Sequence, residues 1–200
     1  DLGMDGEAAT EQVSKGDIVT MDQHTERVGE TVTGKSLDDR VCLYAMLEAA
    51  KQVDPEVTVH FAATVQEEVG LRGAQALGVD LDPDLAVALD VTVANDVPQI
   101  GDEADYVTEL GEGAAIKLKD SSVITNPKVH GRLEAVAERE DIPYQFEILP
   151  SGGTDTAGFQ YPGGATPAAA ISIPTRYLHT PTEVAHEEDV PAAGDLLAEF

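Results

Sequence analysis

From Gly34 onward, apolar runs of strand length alternate with longer amphipathic segments, and that alternation restricts the chain to a sheet with helices packed on it. It predicts helices at about 38–52, 70–77, 127–140, near 154–160 and near 187–199, with strands at 57–64, 84–92, 113–119, 144–149 and 168–173. The run Leu85-Ala86-Val87-Ala88-Leu89 is apolar at every position, as in a strand covered on both faces. The expected fold is α/β: a mixed, mainly parallel sheet with helices on both faces. Residues before Gly34 read as short strands at 11–20 and 26–32 around a polar tip, too little to bury a core alone.

Within that frame, Thr64-Val65-Gln66-Glu67-Glu68-Val69-Gly70 places two glutamates side by side after an apolar run. Adjacent carboxylates repel unless something cationic holds them, and successive side chains on an extended segment point opposite ways. One Glu can then bind a metal while the other moves a proton. Taken alone, the pair reads more readily as solvated charges at a strand end.

Three other places have the same character. Asp38 lies in Gly34-Lys35-Ser36-Leu37-Asp38-Asp39-Arg40, ahead of a helical pattern carrying Val41, Leu43, Leu47 and Ala50. Asp90 closes the apolar run that begins at Leu85, and His179 sits in the proline-bounded loop Pro174–Pro181. Loops beyond the carboxyl ends of strands gather on one edge of an open α/β sheet. Asp38, Glu68, Asp90 and His179 are therefore candidates for one constellation. Carboxylates with an imidazole suit zinc, and also cobalt or manganese. A carboxylate bridging two ions would support a two-metal hydrolase, leaving one glutamate as general base.

In their order, Val32-Thr33-Gly34-Lys35-Ser36-Leu37-Asp38-Asp39-Arg40, Gln66-Glu67-Glu68-Val69-Gly70, Leu89-Asp90-Val91, Gly152-Gly153-Thr154-Asp155 and Arg176-Tyr177-Leu178-His179-Thr180-Pro181 resemble the M42 family of metallo-aminopeptidases. These are the TET aminopeptidases, some of whose members are labelled endoglucanase or cellulase M. The resemblance implies a zinc-peptidase-like fold, with 1–33 the late part of an inserted β domain and 34–200 a catalytic domain lacking its N-terminal segment. It makes Asp38 the bridge between two divalent ions (zinc, or cobalt or manganese) and Glu67 the general base. Glu68 and His179 would complete one metal site and Asp90 would serve the other.

In that family the second site also takes a histidine from a preceding segment. The chain opens at Asp1, and neither His24, in a polar stretch, nor His60, alternating with Val59 and Phe61, has the expected context. The expectation is a truncated aminopeptidase; the alternative is a metal-binding fragment with impaired catalysis. The resemblance further implies peptide substrates and dimers assembled into a dodecamer. It puts Gly153, Thr154, Asp155 and Arg176 near substrate, although Thr154 or Asp155 reads equally well as a plain helix N-cap.

Composition narrows the partners. Asp and Glu number 38 against 12 Lys and Arg, a formal charge of −26, so nucleic acid and anionic membranes are excluded as natural partners. An apolar share of 42% excludes disorder as the reason for that charge, and adaptation to high salt is the expected one. The absence of Trp and only 4% aromatic residues disfavour a sugar-binding platform and hence a glycoside hydrolase. The single cysteine, Cys42, allows no internal disulfide and fits a cytoplasmic setting as a core residue. His130 and His186 read as surface residues. No apolar run of membrane-spanning length occurs.

Overall fold

The computed structural model describes residues 1–98, 100, 105–161 and 165–200. Its helices are α1 (Gly6–Gln12), α2 (Leu37–Gln52), α3 (Arg72–Leu81), α4 (Pro127–Glu140), α5 (Asp155–Gln160) and α6 (Asp189–Glu199). Its strands are β1 (Glu26–Val28), β2 (Thr31–Gly34), β3 (Ala86–Val93), β4 (Ala114–Lys119), β5 (Tyr144–Ile148), β6 (Ala168–Arg176) and β7 (Glu183–His186).

One mixed sheet contains all these strands, in the order β1-β2-β7-β6-β4-β5 with β3 on β6. β6 is the hub. It runs parallel to β3 from Ala86↔Ala168 to Val93↔Thr175. It meets β4 antiparallel at Ile171 and Ser172, then β7 antiparallel at Thr175 and Arg176. Pro174, which cannot donate to a ladder, falls between those two partners. The proline made the strand read as ending at 173, yet it continues to Arg176.

Strand alternation sends Val91, Ala114, Ile116, Ala169, Ile171 and Ile173 into a core with α2, α4 and α6, where Leu133 and Leu196 are fully buried. Polar residues take the opposite face. There Lys117 and Glu147, both 0% exposed, form an ion pair, and Glu147 also accepts the hydroxyls of Thr92 and Ser172 at 2.7 Å each. α5 packs against β3 and β6, with α3 against α5.

Several expectations need correction. Residues 57–64 join no ladder among the described residues, and Val57, Val59 and Phe61 are exposed. No strand forms at 11–20: residues 11–12 end helix α1, whose N-terminus is capped by Asp5 accepting the Ala8 N–H at 2.9 Å, and 13–20 are irregular. The buried side of α2 is Leu37, Cys42, Ala45 and Ala49, while Leu43 and Leu47 face outward. The small residues win because α6 comes close: a Cβ on Gly194 would lie 3.2 Å from the Ala45 carbonyl oxygen. β2 pairs with β7, so the hairpin β1–β2 extends the main sheet and the 33/34 boundary falls inside β2.

Candidate metal centre

Apart from Asp90, the candidate side chains are delivered by irregular backbone. Ser36 is left-handed at φ 58°, and Asp38 and Asp39 keep non-helical angles in the first turn of α2, across a cis Asp38–Asp39 peptide. The two glutamates occupy a tight turn rather than an extended strand. It begins with left-handed Gln66 and closes through Gly70 and Leu71 N–H donating to the Glu67 carbonyl at 2.9 Å. The closure needs Gly73, because a Cβ there would lie 2.5 Å from the backbone N and O of Val65. Asp90 sits within β3 opposite Ser172, and His179 is left-handed at φ 61° in the turn after β6.

These segments converge. His179 Nε2 lies 3.2 Å from Asp38 Oδ2 and 3.5 Å from Glu68 Oε2. Ligand atoms of Asp38, Glu68 and His179 all lie within 4.8 Å of one another, as do those of Asp38, Asp39 and Asp90. Asp38 belongs to both sets, which is the placement a bridging carboxylate needs. Glu67 is half-buried within electrostatic reach of Asp155, Glu68, Asp38 and His179, and the Asp155 Oδ2 accepts the Thr64 hydroxyl. The two glutamates therefore sit in a turn, so the alternation of an extended strand does not separate them. A cavity of about 420 Å³ opens over the first set, walled in part by Met21, Lys35, Thr180 and Glu183.

Burial dominates the electrostatics. It raises Asp38 to about 6, with Glu68 and Glu183 adding to the effect and His179 opposing it. Burial likewise raises Asp39 to about 8 against the Cys42 thiol hydrogen bond, and Glu67 to about 7 with help from Asp155. Asp90 and Asp155 are also shifted up, again chiefly by burial. No lysine or arginine among the described residues forms an ion pair with any of these five acids. Asp39 Oδ1 and Asp155 Oδ1 are buried with no hydrogen-bond partner. Packed carboxylates held off their ordinary acidity, with orphaned oxygens, fit a divalent cation.

The remaining candidates divide. Thr154 is buried as the N-cap of α5, its hydroxyl accepting from Thr156 N–H and donating to Thr156 Oγ1. Gly153 lies against Ser122, where an added Cβ would fall 2.7 Å from the hydroxyl oxygen. Arg176 makes a bidentate pair with Asp96 (2.8 and 2.6 Å) and so ties the end of β6 to the loop after β3. His24 and His60 are exposed and join neither ligand set. His130 and His186 are only partly exposed: His130 Nδ1 is buried, and His186 accepts the Glu188 N–H.

Two residues escaped the sequence reading: Asp39, masked by its neighbour Asp38, and Glu183, one acid among 38. For Glu183 the available signal was its place two residues after Pro181, opening the alternation of Val184 and His186.

A sequence profile described as M42 glutamyl aminopeptidase matches residues 1–196. A putative aminopeptidase of Acetivibrio thermocellus is 41% identical over 194 residues, covering 96% of this chain and 58% of that protein. The solved aminopeptidase APDkam598 from the archaeon Desulfurococcus kamchatkensis superposes with a TM-score of 0.93 at 38% identity, over 97% of this chain and 55% of that one. The Pyrococcus horikoshii TET1 peptidase, described as assembling into a tetrahedron or a large octahedral shell, gives 0.83 at 33% identity, over 96% and 57%. The chain spans a little over half the length of these relatives.

Proposed function

The chain belongs to the M42 glutamyl aminopeptidase family, and on that premise we propose that it serves metal-dependent removal of N-terminal residues from peptides. The observation that carries this reading is the convergence of Asp38, Glu68 and His179 within 4.8 Å, with Glu67 half-buried alongside. Asp38, Glu68 and His179 would hold one divalent ion; Asp38 and Asp90, with Asp39 beside them, would hold a second. Zinc suits the imidazole-bearing set, and cobalt or manganese are compatible with both. When bound, such ions supply Lewis acidity at the scissile carbonyl and acidify water.

The remaining work falls to the chain's own residues. Glu67 accepts a proton from the attacking water and returns it to the leaving amine; burial has raised it to about 7, where it can do both near neutral pH. Asp155, with an uncommitted Oδ1 beside Glu67, and Gly153 on the same loop are the proposed substrate contacts. Thr154 supports that loop through its cap, and Arg176 supports the wall by clamping Asp96. The TET1 likeness supports a homo-oligomer, of which the dodecamer is the proposed form. Among the described residues no helix is long and apolar enough to cross a membrane, and the proposed setting is cytoplasmic.

Glu67→Gln tests the reading, with release of free amino acid from an aminoacyl amide and zinc content as readouts. Zinc binding should persist while turnover falls at least about 10²-fold. Near-wild-type turnover would remove Glu67 from the role of base.

A further inference from the structure

Glu183 opens β7 with only 2% of its surface exposed. Its carboxylate is divided between two backbone amides from opposite ends of the sequence. Oε2 accepts the Asp38 N–H at 3.1 Å, and Oε1 accepts the His179 N–H at 3.0 Å. Neither amide lies in a regular stretch: Asp38 has ψ 109° inside the disturbed start of α2, and His179 has φ 61°. The left-handed backbone of His179 persists only where its surroundings hold it. Hydrogen bonds to a carboxylate are among the strongest available for that purpose.

We propose that Glu183 is a positioning residue that fixes the spacing between the Asp38 carboxylate and the His179 imidazole, so that the metal site is formed before an ion arrives. A single rigid group of two oxygens ties the two ligand-bearing backbones, whose side chains then meet at 3.2 Å. The inference rests on the reading that Asp38, Glu68 and His179 bind a cation. Outer groups of this kind orient ligands and tune affinity.

The fold supplies a matched control. Asp189, 0% exposed at the start of α6, also divides its carboxylate between two backbone amides, those of Gly111 and Gly113, each at 2.9 Å. It carries the same kind of burial and bonding, but neither amide belongs to a proposed ligand.

The experiment measures zinc affinity by chelator competition on the metal-stripped full chain, with the cobalt(II) absorption spectrum and a thermal melt. It compares wild type, Glu183→Gln and Asp189→Asn. Glu183→Gln should weaken zinc binding about 10- to 100-fold and change the cobalt spectrum, which reports ligand geometry. Asp189→Asn should lower the melting temperature and leave affinity and spectrum at wild type. If Glu183→Gln is unfolded at the assay temperature, Glu183→Asp, which keeps the charge but shortens the reach, should show a smaller loss in the same direction. Wild-type affinity and spectrum in the folded Glu183 variant would overturn the positioning role, whatever its melting temperature. Absence of saturable zinc binding by the wild type would instead overturn the metal-site reading beneath it.

Discussion

Two clusters of acid adjoin along one sheet, and they are balanced in opposite ways. Around Glu147 the chain supplies everything: the Lys117 ammonium and the Thr92 and Ser172 hydroxyls satisfy both carboxylate oxygens. Around Asp38, Asp39, Glu67, Asp90 and Asp155 no lysine or arginine among the described residues forms an ion pair, and every one of these acids is pushed up in pKa. The clusters are neighbours, since Asp90 stands opposite Ser172 and two residues before Thr92. A chain able to pair a buried carboxylate with lysine in one place has not done so for these neighbours, which is the contrast a bound cation would resolve.

The contrast is broken most severely on the balanced side. Lys117→Met strands a fully buried Glu147 and should cost about 3–5 kcal/mol of unfolding free energy in a denaturant titration. Replacing both partners with apolar residues should recover most of that loss. A single mutant within about 0.5 kcal/mol of wild type would show that Glu147 does not depend on its cation.

On the unbalanced side the sign reverses. Asp38→Asn removes a carboxylate that burial already disfavours, so the metal-free protein should gain on the order of 1–2 kcal/mol at pH 8 while losing tight zinc binding. The same asymmetry fixes the pH dependence. Asp38 (about 6), Glu67 (about 7) and Asp39 (about 8) bind protons more tightly folded than unfolded. Their stabilisation is therefore complete below their ordinary range near 4 and is lost as pH rises through 6 to 8. The metal-free melting temperature should fall from pH 5 to 8.5, and saturating zinc should flatten that fall. A metal-free melt that rises over this window would contradict the electrostatics described.

Legibility in the sequence followed the same division. The alternation of elements and the strings around Asp38, Glu67-Glu68 and His179 are local patterns, and local patterns could be read. Glu183 and the Lys117–Glu147 pair are single charges whose meaning lies wholly in partners distant along the chain. The buried side of α2 was misread because large apolar residues dominate periodicity, whereas close approach to Gly194 selects Cys42, Ala45 and Ala49. Residues 57–64 have strand composition, yet they join no ladder among the described residues.

The smallest effect expected is spread over the whole surface. With a formal charge of −26, mutual repulsion should relax as salt screens it, so the melting temperature should rise from low salt to molar KCl. A flat or falling dependence would argue against adaptation to high salt.

Titration calorimetry of zinc into the metal-stripped chain, repeated in buffers of different ionisation enthalpy, asks directly whether the unbalanced cluster is completed by a cation. One ligand set carries an imidazole and the other only carboxylates. The expected result is close to one tightly bound zinc per chain, a weaker second site, and proton release on binding from acids that had been held protonated near neutral pH. Binding that never saturates, or that saturates without releasing protons, would contradict the cluster's assignment as a metal centre.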